Sequence, residues 1–175
     1  MILDILRHTP PWVFALFAWL VWMGAKRLQP STRGLRRVYL VPTVFIAWGL
    51  SGLAQRAAAL PDAGLHWLLG AIVGVGLGLM LRQVVQVDHQ RGLVMQAASV
   101  LPLLRNVAIF GSHYVLNVLA VLDPRAAGDI LGWDVVVSGL SAGYFFGWAI
   151  RFALACRAAP QTDLGAPSPA GAATA

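Results

Sequence analysis

Five apolar stretches, each close to the length of a membrane span, take up most of the chain and constrain its fold more than any other feature. A transmembrane helix needs about 20 mostly apolar residues. Only 11% of the residues are charged, against about 25% in soluble domains. Part of the protein surface must therefore face lipid rather than water. The sequence predicts an all-α, polytopic bundle of five transmembrane helices in one domain, residues 1–156. The expected spans cover about 10–25, 35–54, 64–81, 100–122 and 129–155.

The first stretch is the shortest, and a cleaved signal peptide is the competing interpretation. Trp12, Trp19 and Trp22 extend its apolar run into the interfacial regions that tryptophan favours. No small-x-small site precedes an extracellular domain, and basic residues follow the run directly. We therefore expect a retained span. The basic residues that follow it are Lys26, Arg27, Arg33, Arg36 and Arg37.

The distribution of the basic residues predicts the orientation, because cytoplasmic loops of membrane proteins are enriched in Lys and Arg. A cytoplasmic first connection places the N-terminus outside and, after five spans, the C-terminus in the cytoplasm. Cytoplasmic segments then carry nine basic residues, namely the five above with Arg82, Arg91, Arg151 and Arg157. Outside segments carry three, Arg7, Arg56 and Arg125.

The net charge of +6 is thereby explained by anchoring at anionic headgroups. The expected partner is the lipid bilayer, and no nucleic-acid partner is expected. Twelve arginines stand against one lysine, Glu is absent, and Ala and Gly are abundant. This bias favours a GC-rich bacterial genome, so we expect a multi-pass protein of the bacterial inner membrane.

Two segments are expected to lie outside the bilayer. Residues 84–96 alternate apolar and polar side chains on both sides of a turn that ends at Gly92, a pattern typical of a β-hairpin. We expect this hairpin at the cytoplasmic surface, between spans three and four, with an irregular loop as the alternative. Residues 157–175 are rich in Ala, Pro, Gly and Ser, and this composition predicts a disordered cytoplasmic tail.

Regularly spaced glycines mark two of the stretches. Each triplet leaves a flat stripe along one helix face, which lets two helix backbones approach closely in lipid. Both helices run from outside to inside, so the stripes are expected to face each other in parallel. A homo-oligomeric interface and a ligand groove are the alternatives. The triplets are Gly70, Gly74 and Gly78 in the third stretch and Gly139, Gly143 and Gly147 in the fifth.

Polar side chains within spans are costly and often functional. His113 and Asn117 are one helical turn apart and share a face of the fourth span. Asp134 lies below the outer end of the fifth span, close enough for His113 to pair with it. Such a pair could move protons, bind a quinone headgroup or hold a metal, or it could be a structural hydrogen bond between helices. Arg105, near the start of the fourth span, is expected to reach the headgroups.

No catalytic or cofactor pattern is found. The chain lacks a Walker A sequence, an HExxH motif and a G-x-S-x-G motif. His8 and His66 lie at the outer surface, whereas His113 is about 10 Å deeper, which disfavours a haem held by two histidines. The single Cys156 excludes an internal disulfide and a cysteine-based zinc site. We expect no cofactor, no metal site and no enzymatic activity.

The opening His8-Thr9-Pro10-Pro11-Trp12-Val13, the basic first connection and the segment from Val87 to Val94 (VDHQRGLV) occur together over nearly the whole chain. In this the chain resembles an uncharacterised family of small bacterial integral-membrane proteins. The resemblance supports the architecture and implies no catalytic residues.

The function expected from the sequence is that of a non-enzymatic accessory or assembly component of the inner membrane, in a homo-oligomer or a larger membrane assembly. The small size and the glycine stripes favour it. A small transporter or proton-coupled channel that uses His113, Asn117 and Asp134 is the first alternative. A redox protein linked to haem or quinone is the second.

Overall fold

A computed structural model describes residues 10–58 and 60–164, except for the side chain of Trp12. The helices are α1 (Pro11–Ala25), α2 (Leu35–Arg56), α3 (Ala63–Met80), α4 (Leu101–Leu122) and α5 (Ala127–Ala158), with a short 3-10 helix at Lys26–Leu28. The strands are β1 (Ser31–Gly34), β2 (Val85–Asp88) and β3 (Leu93–Gln96).

Four of the helices, α2 to α5, are long and apolar enough to cross a membrane, by length and composition. The 15 residues of α1 extend only about 22 Å, short of the roughly 30 Å of a hydrocarbon core. The structure is thus mainly helical with four candidate spans, where the apolar stretches predict five. Residues 1–9, which precede α1, lie outside the described residues.

Helix α5 is the centre of the bundle and packs against α2, α3 and α4, whereas α1 packs chiefly against α4. The 32 residues of α5 extend about 48 Å. On α2, Phe45 stacks on Phe145 of α5 with ring centroids 4.3 Å apart. One side of α5 consists largely of small residues, and this allows three helices to approach it.

The glycine stripes of α3 and α5 lie against each other, as the spacing predicts. A Cβ atom added to Gly70, Gly74 or Gly78 would lie 2.1–2.4 Å from a backbone carbonyl oxygen of α5. The contact is reciprocal, because a Cβ added to any of the three α5 glycines would lie 2.0–2.4 Å from a carbonyl oxygen of α3. The contacts advance in the same direction along both helices, so the pair is parallel. The two stripes therefore mediate packing of α3 on α5 within the chain.

A three-stranded sheet in the order β1-β3-β2 covers one end of the bundle, called here the sheet end. Strands β2 and β3 pair antiparallel within residues 84–96, and Gly92 adopts the left-handed φ of +62° in the turn. Nothing in the sequence predicts the third strand, β1, which comes from the first connection and pairs antiparallel with β3. Beneath the sheet, Val87 and Val94 pack on Phe152 and Cys156, near the C-terminal end of α5.

The predicted disorder from residue 157 onward is wrong for residues 157–164. Helix α5 continues to Ala158, and the chain then pairs with the outer edge of β2 at Val87 and Gln161. The Gln161 amide donates to the buried Asp88 carboxylate at 2.9 Å and accepts from the His89 backbone N–H at 2.8 Å. These tertiary bonds order a segment whose composition alone favours disorder. Residues 165–175 lie outside the described residues.

Candidate functional site

Asp134 is a buried carboxylate at the end of the bundle opposite the sheet. It lies in the second turn of α5, and its side chain is 0% exposed. A charge removed from water in this way requires a partner of opposite charge and hydrogen bonds to its oxygens. Both are supplied by two neighbouring helices.

Helix α4 supplies the hydrogen bonds. His113 donates from Nδ1 to Asp134 Oδ1 over 2.5 Å. Asn117, four residues later on the same face, donates from Nδ2 to the same oxygen at 3.4 Å and to the His113 backbone carbonyl at 2.7 Å. The pairing of His113 with Asp134 across α4 and α5 is confirmed, and Asn117 is its third member.

Helix α2 supplies the positive charge. Arg56, the last residue of α2, forms an ion pair through Nη1 with Asp134 Oδ2. In the sequence, Arg56 stands out only as one of the few basic residues expected outside the bilayer. A buried Asp134 needs a cation, and few basic residues are expected at this end of the bundle. That requirement is the sequence signal that could have identified Arg56.

The four side chains of Arg56, His113, Asn117 and Asp134, called here the Asp134 cluster, join three helices through one carboxylate. The charges of Arg56 and Asp134 cancel, so with a neutral imidazole the cluster carries no net charge. His113 is 34% exposed and Arg56 is 30% exposed, so both reach the bundle surface. The cluster can therefore fix the positions of three helices, with the His113 imidazole accessible from the bundle surface.

The remaining candidate residues lie elsewhere. His66, at the start of α3, makes a local hydrogen bond from Nδ1 to the Asp62 carbonyl at 2.9 Å, and His8 lies outside the described residues. Among the residues that the structure describes, no three His, Cys, Asp or Glu side chains are placed to hold a metal ion.

The five basic residues of the first connection are all at the sheet end. Lys26 lies over the Trp22 ring, 3.5 Å from its centroid. Arg36 and Arg37 are exposed on the first turn of α2, whereas Arg27 and Arg33 are half-buried.

Comparison with curated proteins and with solved structures gives no significant match. A family model matches residues 1–162, a range that includes the Asp134 cluster, the glycine stripes and the contact between Gln161 and the hairpin. The match confirms the resemblance to an uncharacterised family. The chain belongs to the family of unknown function DUF6622.

Proposed function

We propose that this chain is a five-span protein of the bacterial inner membrane that serves as a non-enzymatic accessory or assembly component. The Asp134 cluster carries the proposal. Its carboxylate is neutralised by Arg56 and bonded by two side chains of α4. A carboxylate held in this way fixes three helices in one arrangement, which suits a component whose task is to present a defined surface to other membrane proteins or to a second copy.

The apolar outer surface supports the membrane placement. Large apolar side chains are exposed along α3 and α4, including Leu68, Ile72 and Leu119. Apolar patches of this extent on a protein in water mark interaction or membrane surfaces. Trp19 and Trp22 are exposed on α1, as expected for tryptophans that anchor a short span at an interface.

Contacts between connections support the orientation with the N-terminus outside and the C-terminus in the cytoplasm. Strand β1 belongs to the first connection and β3 to the third, and they are hydrogen-bonded to each other. The chain after α5 joins the same sheet. These segments and the adjoining ends of α2 and α5 carry the nine basic residues, so the basic residues assigned to the cytoplasm lie on one side of the bundle.

A proton-coupled channel or transporter is the second candidate. The observation that favours it is the half-exposed imidazole of His113 beside a fully buried carboxylate. In this alternative, His113 exchanges protons with water and Asp134 accepts its hydrogen bond.

Proton flux into liposomes that enclose a pH-sensitive dye separates the two candidates. The accessory function predicts that wild-type protein, the His113→Gln variant and protein-free liposomes give the same flux under an imposed potential. A flux that wild-type protein supports and His113→Gln abolishes, with the variant still folded, would establish the channel instead.

Crosslinking in native membranes tests the accessory function directly. We expect a defined partner, or a second copy, to be recovered in a fixed ratio to the chain. Strictly monomeric protein that co-purifies with nothing would contradict the proposal.

A further inference from the structure

A cavity of about 260 Å³ opens at the sheet end, lined by residues of α1, α2, α4 and α5 and by the segment that follows α3. Among the described residues, four arginines line it, Arg27, Arg33, Arg82 and Arg105, and no Asp or Glu side chain does so. We propose that this cavity binds a phosphate group, either that of an anionic lipid headgroup or that of a free phosphate.

The four guanidinium groups come from separate parts of the chain. Arg27 follows α1, Arg33 lies in β1, Arg82 follows α3, and Arg105 lies in the second turn of α4. Their convergence is therefore a product of the tertiary structure. Arg36 and Arg37, by contrast, lie side by side on one helix and do not line the cavity.

Neutral acceptors hold two of these arginines in place. Arg27 donates from Nη1 to the Gln96 side-chain carbonyl and lies 3.5 Å from the Ser31 hydroxyl. Arg105 donates to the buried Asn106 side chain over 3.3–3.4 Å, and its guanidinium lies 4.3 Å from the Phe145 ring centroid. A guanidinium has five N–H donors, so each retains donors for an anion.

The positive charges in the cavity repel one another. Burial, together with the charges of Arg33 and Arg105, lowers the pKa of Arg27 to about 10. Two acidic side chains at the sheet end, Asp88 and Asp163, are engaged with Gln161 and Arg91 respectively. An anion in the cavity would relieve this repulsion, and phosphate suits it because guanidinium groups bind phosphate oxygens in pairs.

The size and the walls of the cavity suit a headgroup. Its volume is below the roughly 300–1,000 Å³ of pockets for drug-sized ligands. Apolar side chains of α1, of α2 and of the residue that follows α3 (Met23, Val41 and Leu81) form part of its wall. Basic pockets between spans on the cytoplasmic side are known to bind anionic headgroups, so the lipid source rests on the membrane orientation proposed above, whereas the phosphate chemistry does not.

Thermal unfolding of the full chain in a neutral detergent, at constant ionic strength, tests the proposal. The probes are inorganic phosphate, short-chain phosphatidylglycerol and, as the zwitterionic control, short-chain phosphatidylcholine. We expect phosphatidylglycerol to raise the unfolding temperature in a saturable manner. An equal effect of inorganic phosphate at similar concentrations identifies free phosphate as the ligand. No effect of either anionic probe, or an equal effect of phosphatidylcholine, overturns the proposal.

Matched variants locate the site. Arg33→Gln and Arg82→Gln each remove one guanidinium from the cavity, and each should weaken the apparent affinity about tenfold, the effect of one charge-assisted hydrogen bond. Arg36→Gln and Arg37→Gln change the net charge equally at exposed positions and should leave the affinity unchanged. An equal loss of affinity in both pairs of variants would mean that the anion is attracted by the net charge alone, and this would overturn the proposed binding site. Failure here leaves the proposed orientation intact, because no membrane is present in this experiment.

Discussion

Asp134 is the residue through which α2, α4 and α5 are joined, and its environment makes its charge and the charge of Arg56 interdependent. Asp134→Asn leaves the Arg56 guanidinium without its partner. Removal of one member of a buried ion pair costs about 3–5 kcal/mol, and since Arg56 is 30% exposed, we expect a loss near 3 kcal/mol. Unfolding in mixed micelles with increasing sodium dodecyl sulfate measures this loss.

The control for that prediction removes both charges at once. Buried ion pairs replaced by apolar residues of similar size often retain stability, so the double variant Arg56→Met/Asp134→Asn should recover most of what Asp134→Asn loses. Additive losses in the double variant would mean that the two side chains act independently.

Asp88 predicts a pH dependence at the sheet. The Gln161 amide and the Arg91 backbone N–H donate to its carboxylate and hold its pKa below the ordinary value. A carboxylate with a lowered pKa contributes stability above its unfolded pKa of about 3.9, and this contribution is lost as the pH falls through the lower, folded pKa. Docking of residues 159–164 should therefore persist at pH 5 and weaken only below about pH 4.

Hydrogen exchange at the Thr162 amide, which donates to the Val87 carbonyl at 2.9 Å, reports this docking. The quantity to follow is the protection factor, the exchange rate of an unstructured peptide divided by that of this amide at the same pH. In Asp88→Asn the acid-induced loss of protection should disappear. A protection factor at Thr162 that already falls between pH 7 and pH 5 would contradict the assignment to Asp88.

Among the helices, the contact between α3 and α5 gives the sharpest prediction. In Gly74→Ala the added methyl would lie 2.2 Å from the Leu140 carbonyl oxygen, so the backbones must separate. Overpacking of this kind costs about 1–3 kcal/mol. Gly76→Ala, two residues along the same helix, meets nothing within 4 Å and should be neutral or stabilising by up to about 1 kcal/mol through helix propensity.

The same unfolding assay compares the two alanine variants. Similar losses for Gly74→Ala and Gly76→Ala would show that the stripe does not mediate packing of α3 on α5.

The elements that the sequence predicts correctly are those governed by local periodicity. A four-residue spacing places Gly70, Gly74 and Gly78 on one face whatever the helix packs against, and the same rule brings His113 and Asn117 together. Strand β1 is not predicted because its four residues, Ser31 to Gly34, show no alternation of apolar and polar side chains. Their partner strand, β3, lies about 60 residues away in the sequence. The role of Arg56 is not predicted because the sequence does not show in which direction a long side chain at a helix end extends.

At the scale of the whole molecule, the bundle and the sheet form one unit through α5. This helix carries the glycine stripe, Asp134 near its start, and Phe152 and Cys156 under the sheet near its end. Composition predicts a membrane domain followed by a disordered tail. The Gln161 contacts instead order residues 159–164, because bonds to a distant hairpin outweigh local composition.

The proposed orientation is tested by labelling of single introduced cysteines in intact cells. Ala58→Cys lies in the connection between α2 and α3, and Gln90→Cys lies in the turn between β2 and β3; both positions are exposed and uncharged. Wild-type protein is the background, since its one cysteine, Cys156, is buried. A membrane-impermeant maleimide should label Ala58→Cys in cells with a permeabilised outer membrane, and Gln90→Cys only after lysis. Labelling of Gln90→Cys before lysis, or of both positions equally, would contradict the proposed membrane topology.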